Sequence, residues 1–103
     1  MKINIFGSTG VIGIKSLDIL KYNFPEIKIN LLCAKNNLNI LLKQIEYYKP
    51  NYVFLDNNSK YHILKKKIKS NIKILNYDEL LSYLKTFCCG LLVGYIEEYP
   101  HQD

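Results

Sequence analysis

KINIFGSTGVIG, residues 2–13, decides the fold. Lys2–Phe6 alternates polar and apolar residues and is rich in Ile, the pattern of a β-strand. Gly7-Ser8-Thr9-Gly10 breaks that strand. From Val11 to about Tyr22 the apolar positions Ile12, Leu17 and Leu20, with Val11 and Ile19 beside them, approximate a helical stripe. A GxxGxxG turn between a first strand and a first helix stands where an α/β protein holds a dinucleotide. Gly7 turns the chain off the strand, Gly10 admits a diphosphate close to the backbone, and Gly13 lets the helix pack on the sheet. The amides at the helix start, with the positive end of its dipole, then attract the anion, and the Thr9 hydroxyl adds a contact.

Working outward, the same alternation of elements continues. Ile27–Cys33 reads as a second strand. Leu38, Leu41, Leu42 and Ile45 recur at helical spacing in a helix that stops before Pro50. Tyr52–Leu55 is a third strand and Asp56-Asn57-Asn58 its turn. Ser59 is the expected cap of a third helix carrying Ile63, Leu64 and Ile68 on one face. Ile72–Leu75, Asp78–Lys85 and Gly90–Val93 read as strand, helix and strand. Strands alternating with helices at this pace mean right-handed βαβ units, so the fold class is α/β, a Rossmann-like parallel sheet with flanking helices. No repeat or linker interrupts it. Residues 1–94 are expected to form one domain, and the polar tail 95–103 to fray.

The end of the second strand narrows the ligand. A site for NAD normally carries Asp or Glu there, bound to the ribose hydroxyls. Here the run is Ala34-Lys35-Asn36-Asn37, and Lys35 with two amides attracts a 2′-phosphate that an acid would repel. NADPH is therefore expected in place of NADH.

Composition sets the outer limits. A chain of 103 residues is one small domain. The net charge of +5 comes from 14 basic residues, all of them Lys. Without Arg the chain lacks the bidentate fork of a dedicated nucleic-acid reader, so no nucleic-acid partner is expected. The three cysteines, Cys33, Cys88 and Cys89, show no metal-ligand spacing and read as reduced, buried small residues of a cytoplasmic protein. No apolar run nears the roughly 18 residues of a membrane span, and no membrane partner is expected.

Other reactive side chains form no constellation. His62 and His101 have no partner in sequence, Lys65-Lys66-Lys67 reads as a solvated face, Asp78-Glu79 complements a helix dipole, and Tyr47 and Tyr48 read as packing residues. Asp18 and Asp56 sit on a helix and in a turn, where neither implies chemistry. No catalytic or metal-binding residue is assigned.

Ile3–Gly13, followed by Ser16-Leu17-Asp18-Ile19-Leu20, resembles the opening of the 1-deoxy-D-xylulose 5-phosphate reductoisomerases, which typically show GSTGSIG and then a T-L-D-V-like helix. The likeness extends through Leu32-Cys33-Ala34-Lys35-Asn36-Asn37-Leu38 and into Glu46–Val53, similar to an "E-x-x-P-x-Y-V" stretch. It covers residues 1 to about 94 and is weak after Leu55. The resemblance implies an NADPH-dependent enzyme of the methylerythritol phosphate route to isoprenoids. That enzyme converts 1-deoxy-D-xylulose 5-phosphate to 2-C-methyl-D-erythritol 4-phosphate with a divalent metal, Mg or Mn, as a homodimer.

The expected cofactor site comprises Gly7, Ser8, Thr9, Gly10, Val11, Ile12 and Gly13 with Ala34, Lys35, Asn36 and Asn37; the resemblance implies that Thr9, Gly10, Val11 and Ile12 contact the phosphates and that Lys35, Asn36 and Asn37 surround the adenosine ribose phosphate. Val11 departs from the family's usual Ser, and the lysine stands one place early. The family's metal carboxylates, Asn-Lys-Glu stretch and substrate-phosphate loops lie beyond this length. A fragment or truncated product, inactive by itself, is therefore expected. Two alternatives stay open: another GxxGxxG NADP-dependent oxidoreductase, such as a semialdehyde dehydrogenase or extended short-chain reductase, and a non-catalytic nucleotide-binding module.

Overall fold

A computed structural model describes residues 2–68, 71–86 and 92–93. The elements run β1 (Lys2–Phe6), α1 (Val11–Asn23), β2 (Lys28–Ala34), α2 (Leu38–Tyr48), β3 (Tyr52–Leu55), α3 (Asn58–Lys67), β4 (Lys73–Ile74), α4 (Tyr77–Thr86) and β5 (Leu92–Val93). All strand pairs are parallel, in the order β4-β3-β2-β1-β5. This is the expected Rossmann-like α/β sheet. The expected tail 95–103, Cys88, Cys89 and His101 lie outside the described residues.

Strand order explains where the helices sit. The chain steps from β1 to β4 in one direction across the sheet, so α1, α2 and α3 share a face. It then returns to lay β5 beside β1, which carries α4 to the other face. Two cores follow. On the first face Ile3, Ile5, Leu32, Ala34, Val53 and Leu55 meet Leu17, Leu41, Ile45 and Leu64 from the three helices. On the second, Leu31, Cys33 and Phe54 meet Leu75 and Leu80, with Tyr83 and Leu84 packed against them. Both faces of β2 and β3 are covered, which is why both strands are buried along almost their whole length.

One residue breaks the alternation. The β1–β2 register passes from Ile3↔Ile29 to Asn4↔Leu31, so Asn30 is an extra residue in β2. The bulge lets Asn30 and Leu31 both face α4. There the Tyr83 hydroxyl donates to Asn4 Oδ1 at 2.9 Å, the Asn30 amide bonds the same hydroxyl, and Asn51 Nδ2 donates to Asn30 Oδ1 at 2.6 Å. Two asparagines buried in a sheet are thus supplied with partners by one tyrosine of α4.

Caps set the helix starts. Asn37 Oδ1 accepts from Ile40 N at 3.1 Å in α2, and Asn57 Oδ1 from Lys60 N at 3.0 Å in α3. The expected cap of α3, Ser59, is instead exposed inside the helix. The chain turns as soon as β3 ends, with Asp56 N bonded to Ala34 O at 3.1 Å, and this brings Asn57 to the capping position. In α4 Asn76 and Glu79 exchange bonds, each backbone N–H to the other's side-chain oxygen at 2.8 Å. The Asn76 N–H holds the Glu79 carboxyl below its ordinary value.

Candidate functional site

Parallel strands bring the turns after β1, β2 and β3 to one end of the sheet, and a cleft of about 590 Å³ lies there. Thr9, Gly10, Val11 and Ile14 form one wall, Asn36–Asn39 a second, and Lys60 with Ile63 a third. Of the residues expected from sequence, Thr9, Gly10, Val11, Asn36 and Asn37 line this cleft together. Gly7, Ser8 and Lys35 in the same two turns, Ile12 and Gly13 in the first turn of α1 and Ala34 at the end of β2 do not line it. Ser8, Gly13 and Ala34 are buried, while Val11 and Ile12 are exposed.

The glycine turn is built to bring a helix against a loop. Gly7 sits at φ 78°, in the left-handed region that costs a side chain least when there is none. At Gly13 an added Cβ would stand 2.1 Å from the Gly7 carbonyl oxygen and 2.8 Å from Ser8 Cα. No side chain fits between α1 and the turn. The turn itself is anchored to the neighbouring strand: Gly7 N and Ser8 N both donate to Cys33 O, at 2.9 and 3.0 Å.

The start of α1 differs from the other helix starts. Its N-cap is Gly10, no side chain caps it, and its first turn carries no acid. The first helical bond runs from Ile14 N to Gly10 O at 2.9 Å, so the Val11, Ile12 and Gly13 amides precede the helical ladder. A group of N–H donors with the positive end of a 13-residue helix behind them attracts an anion.

Residues outside the sequence motifs shape the opposite wall. Asn57 Nδ2 donates to Asn36 Oδ1 at 3.1 Å, and Lys60 Nζ donates to Asn36 O at 2.9 Å. The first turn of α3 therefore grips the loop after β2 and sets an ammonium at the cleft. Gln44 reaches from α2 to the glycine turn, its Nε2 2.7 Å from Ser8 O in a buried bond. The signal for Gln44 was present in sequence, since it falls three residues after Leu41 on the apolar stripe. For Lys60 there was none among so many lysines.

A family model of 1-deoxy-D-xylulose 5-phosphate reductoisomerase matches residues 3–86. The chain belongs to the 1-deoxy-D-xylulose 5-phosphate reductoisomerase family. Its relatives include the reductoisomerase of Buchnera aphidicola subsp. Schizaphis graminum, 40% identical over 87 residues that make up 84% of this chain and 21% of that protein. The reductoisomerase of Thermoanaerobacter sp. (strain X514) is 36% identical over 97 residues, 93% of this chain and 25% of that protein. The chain thus spans about a fifth to a quarter of the curated reductoisomerases it matches.

Solved structures agree on the fold. A reductoisomerase in complex with NADPH, fosmidomycin and magnesium superposes with a TM-score of 0.71 at 25% identity, over 79% of this chain and 20% of that one. The Zymomonas mobilis reductoisomerase in complex with NADPH gives 0.69 at 23% identity, over 79% and 22%. Among the described residues no three His, Cys, Asp or Glu side chains come together as a metal site. No helix among them is long and apolar enough to cross a membrane.

Proposed function

We propose that this chain is the NADPH-binding part of a 1-deoxy-D-xylulose 5-phosphate reductoisomerase. The observation that carries the reading is the cleft that joins the uncapped start of α1 to the Asn36–Lys60 wall. Both reductoisomerases compared above were solved with NADPH.

In this reading the Thr9, Val11 and Ile12 amides and the Thr9 hydroxyl hold the diphosphate. Asn36, Asn37 and Lys35 surround the adenosine ribose and its 2′-phosphate, and Lys60 adds a second cation on the far side of Asn36. The Lys60 ammonium on the cleft, Lys35 in the turn beside it and the lack of an acid among the described lining residues favour the extra phosphate of NADPH over the bare ribose of NADH. Bound NADPH supplies reducing equivalents, and the residues described here bind and orient it. Conversion of 1-deoxy-D-xylulose 5-phosphate to 2-C-methyl-D-erythritol 4-phosphate belongs to the whole enzyme, and the 103 residues alone give no turnover.

The test is a fluorescence titration of NADPH and NADH with the wild-type chain and with Lys35→Ala. The reading expects a preference for NADPH that shrinks in the variant. Equal affinity for both cofactors in the wild type overturns the phosphate argument.

A further inference from the structure

The Gln44 side chain is a polar group on an apolar stripe. Leu41, Gln44 and Ile45 are the buried residues of α2, and a methionine or leucine would fill the same place. Its Nε2 donates to the Ser8 carbonyl oxygen at 2.7 Å, across 36 residues of sequence. Facing a carbonyl, only the NH2 end of the amide makes a bond, which fixes the side chain's orientation. Gln44 Oε1 and Ser8 Oγ are both buried and have no hydrogen-bond partner among the described residues. The amide therefore stays buried with its oxygen unused, for the one bond it makes.

That bond has a consequence on the other side of the peptide. The described residues contain no cis peptide, and in a trans peptide the C=O and N–H point in opposite directions. Holding the Ser8 oxygen toward Gln44 turns the Thr9 N–H away from it, and Thr9 itself lines the cleft. The two bonds from Gly7 N and Ser8 N to Cys33 O fix the peptides before this one. Gln44 alone among the described side chains grips the next.

We infer that Gln44 is a positioning residue for diphosphate binding: by holding the Ser8 carbonyl it aims the Thr9 N–H at the anion. The inference rests on the NADPH reading above.

Two ligands separate the roles. NADPH carries a diphosphate and adenosine 2′-monophosphate does not. Binding of each to the 103-residue chain is measured for the wild type and for Gln44→Met, with a thermal melt to establish folding. The variant is expected to bind NADPH roughly tenfold more weakly, the scale of one hydrogen bond, with adenosine 2′-monophosphate affinity unchanged. Equal losses for both ligands, or none, overturn the positioning role and leave the NADPH reading standing. A wild-type chain that binds no NADPH removes both. Should Gln44→Met fail to fold, amide NMR of the wild type during titration with inorganic pyrophosphate decides instead. A Thr9 amide among the most displaced supports the inference, and one that stays still while Val11 and Ile12 move refutes it.

Discussion

Tyr48, at the last turn of α2, donates its hydroxyl to Asp18 Oδ1 on α1 at 3.0 Å. Two helices on one face of the sheet are tied at the end opposite the cleft. Burial first, and then the bond to the Asp18 carboxylate, push the Tyr48 hydroxyl above its ordinary value of 10.0. A raised value means that the folded chain prefers the protonated phenol. The stabilisation is complete below about pH 10, where the unfolded tyrosine is also protonated, and is lost as the pH climbs through the higher folded value. Urea unfolding between pH 8 and 11 is expected to show stability falling above pH 10. Tyr48→Phe should cost about 1 kcal/mol at pH 8 and flatten part of that fall. An unchanged slope in the variant would place the alkaline transition elsewhere.

Gly13→Ala tests the contact between α1 and the glycine turn. A methyl group 2.1 Å from a backbone oxygen has no flexible neighbour to displace, so the helix must retreat. The expected loss is about 3 kcal/mol, the upper range for an overpacked core. Denaturant midpoints measure it. A variant as stable as the wild type would show that α1 does not sit this close to Gly7.

Lys60→Met tests the second cation. Its ammonium lies on the cleft and also bonds Asn36 O, so two effects need separating. Loss of the charge lowers affinity for NADPH alone, whereas a loosened Asn36 loop weakens NADH as well. The ratio of NADPH to NADH affinity is expected to fall roughly threefold to tenfold, as for a partly solvated ion pair. An unaltered ratio assigns Lys60 to the loop only.

Lys49→Gly is expected to stabilise the fold. Lys49 ends α2 at φ 51° and ψ 60°, a conformation in which its Cβ crowds the carbonyl. Its ammonium bonds the Glu46 carbonyl at 3.2 Å in an exposed position, which contributes little. Glycine relieves the crowding and gives back part of the gain as chain entropy. A net increase of about 0.5 kcal/mol should appear in the urea midpoint, and a decrease would mean the lysine side chain contributes more than its exposure suggests.

The sheet and the glycine turn were legible because local chemistry fixes them. Gly7 and Gly10 punctuate the chain, and Leu38, Leu41, Leu42 and Ile45 mark a helix whatever packs on it. The β2 bulge was not, because both faces of Lys28–Ala34 are buried and its half from Leu31 to Ala34 is apolar at every position, with no period to betray an extra residue. Ser59 and Asn57 are both good capping residues, and the early turn after β3 chose between them. In the candidate site, the β1 and β2 turns were read from sequence, while Lys60 and Gln44 reach it through helix packing across the sheet. Among 14 lysines, only the seating of α3 beside Asn36 singles out Lys60.

The extra residue in β2 decides which side chains α4 meets. Asn4 and Asn30 both reach Tyr83, and because Asn30 is skipped in the pairing, Leu31 and Cys33 follow it onto the α4 face while Leu32 and Ala34 turn to α1–α3. A regular pairing without the extra residue would exchange these two sets between the faces. The seat of the last described helix is thus set by the skipped residue, since Leu80, Tyr83 and Leu84 pack with Leu31 and Cys33, which a regular strand would have turned to the far side.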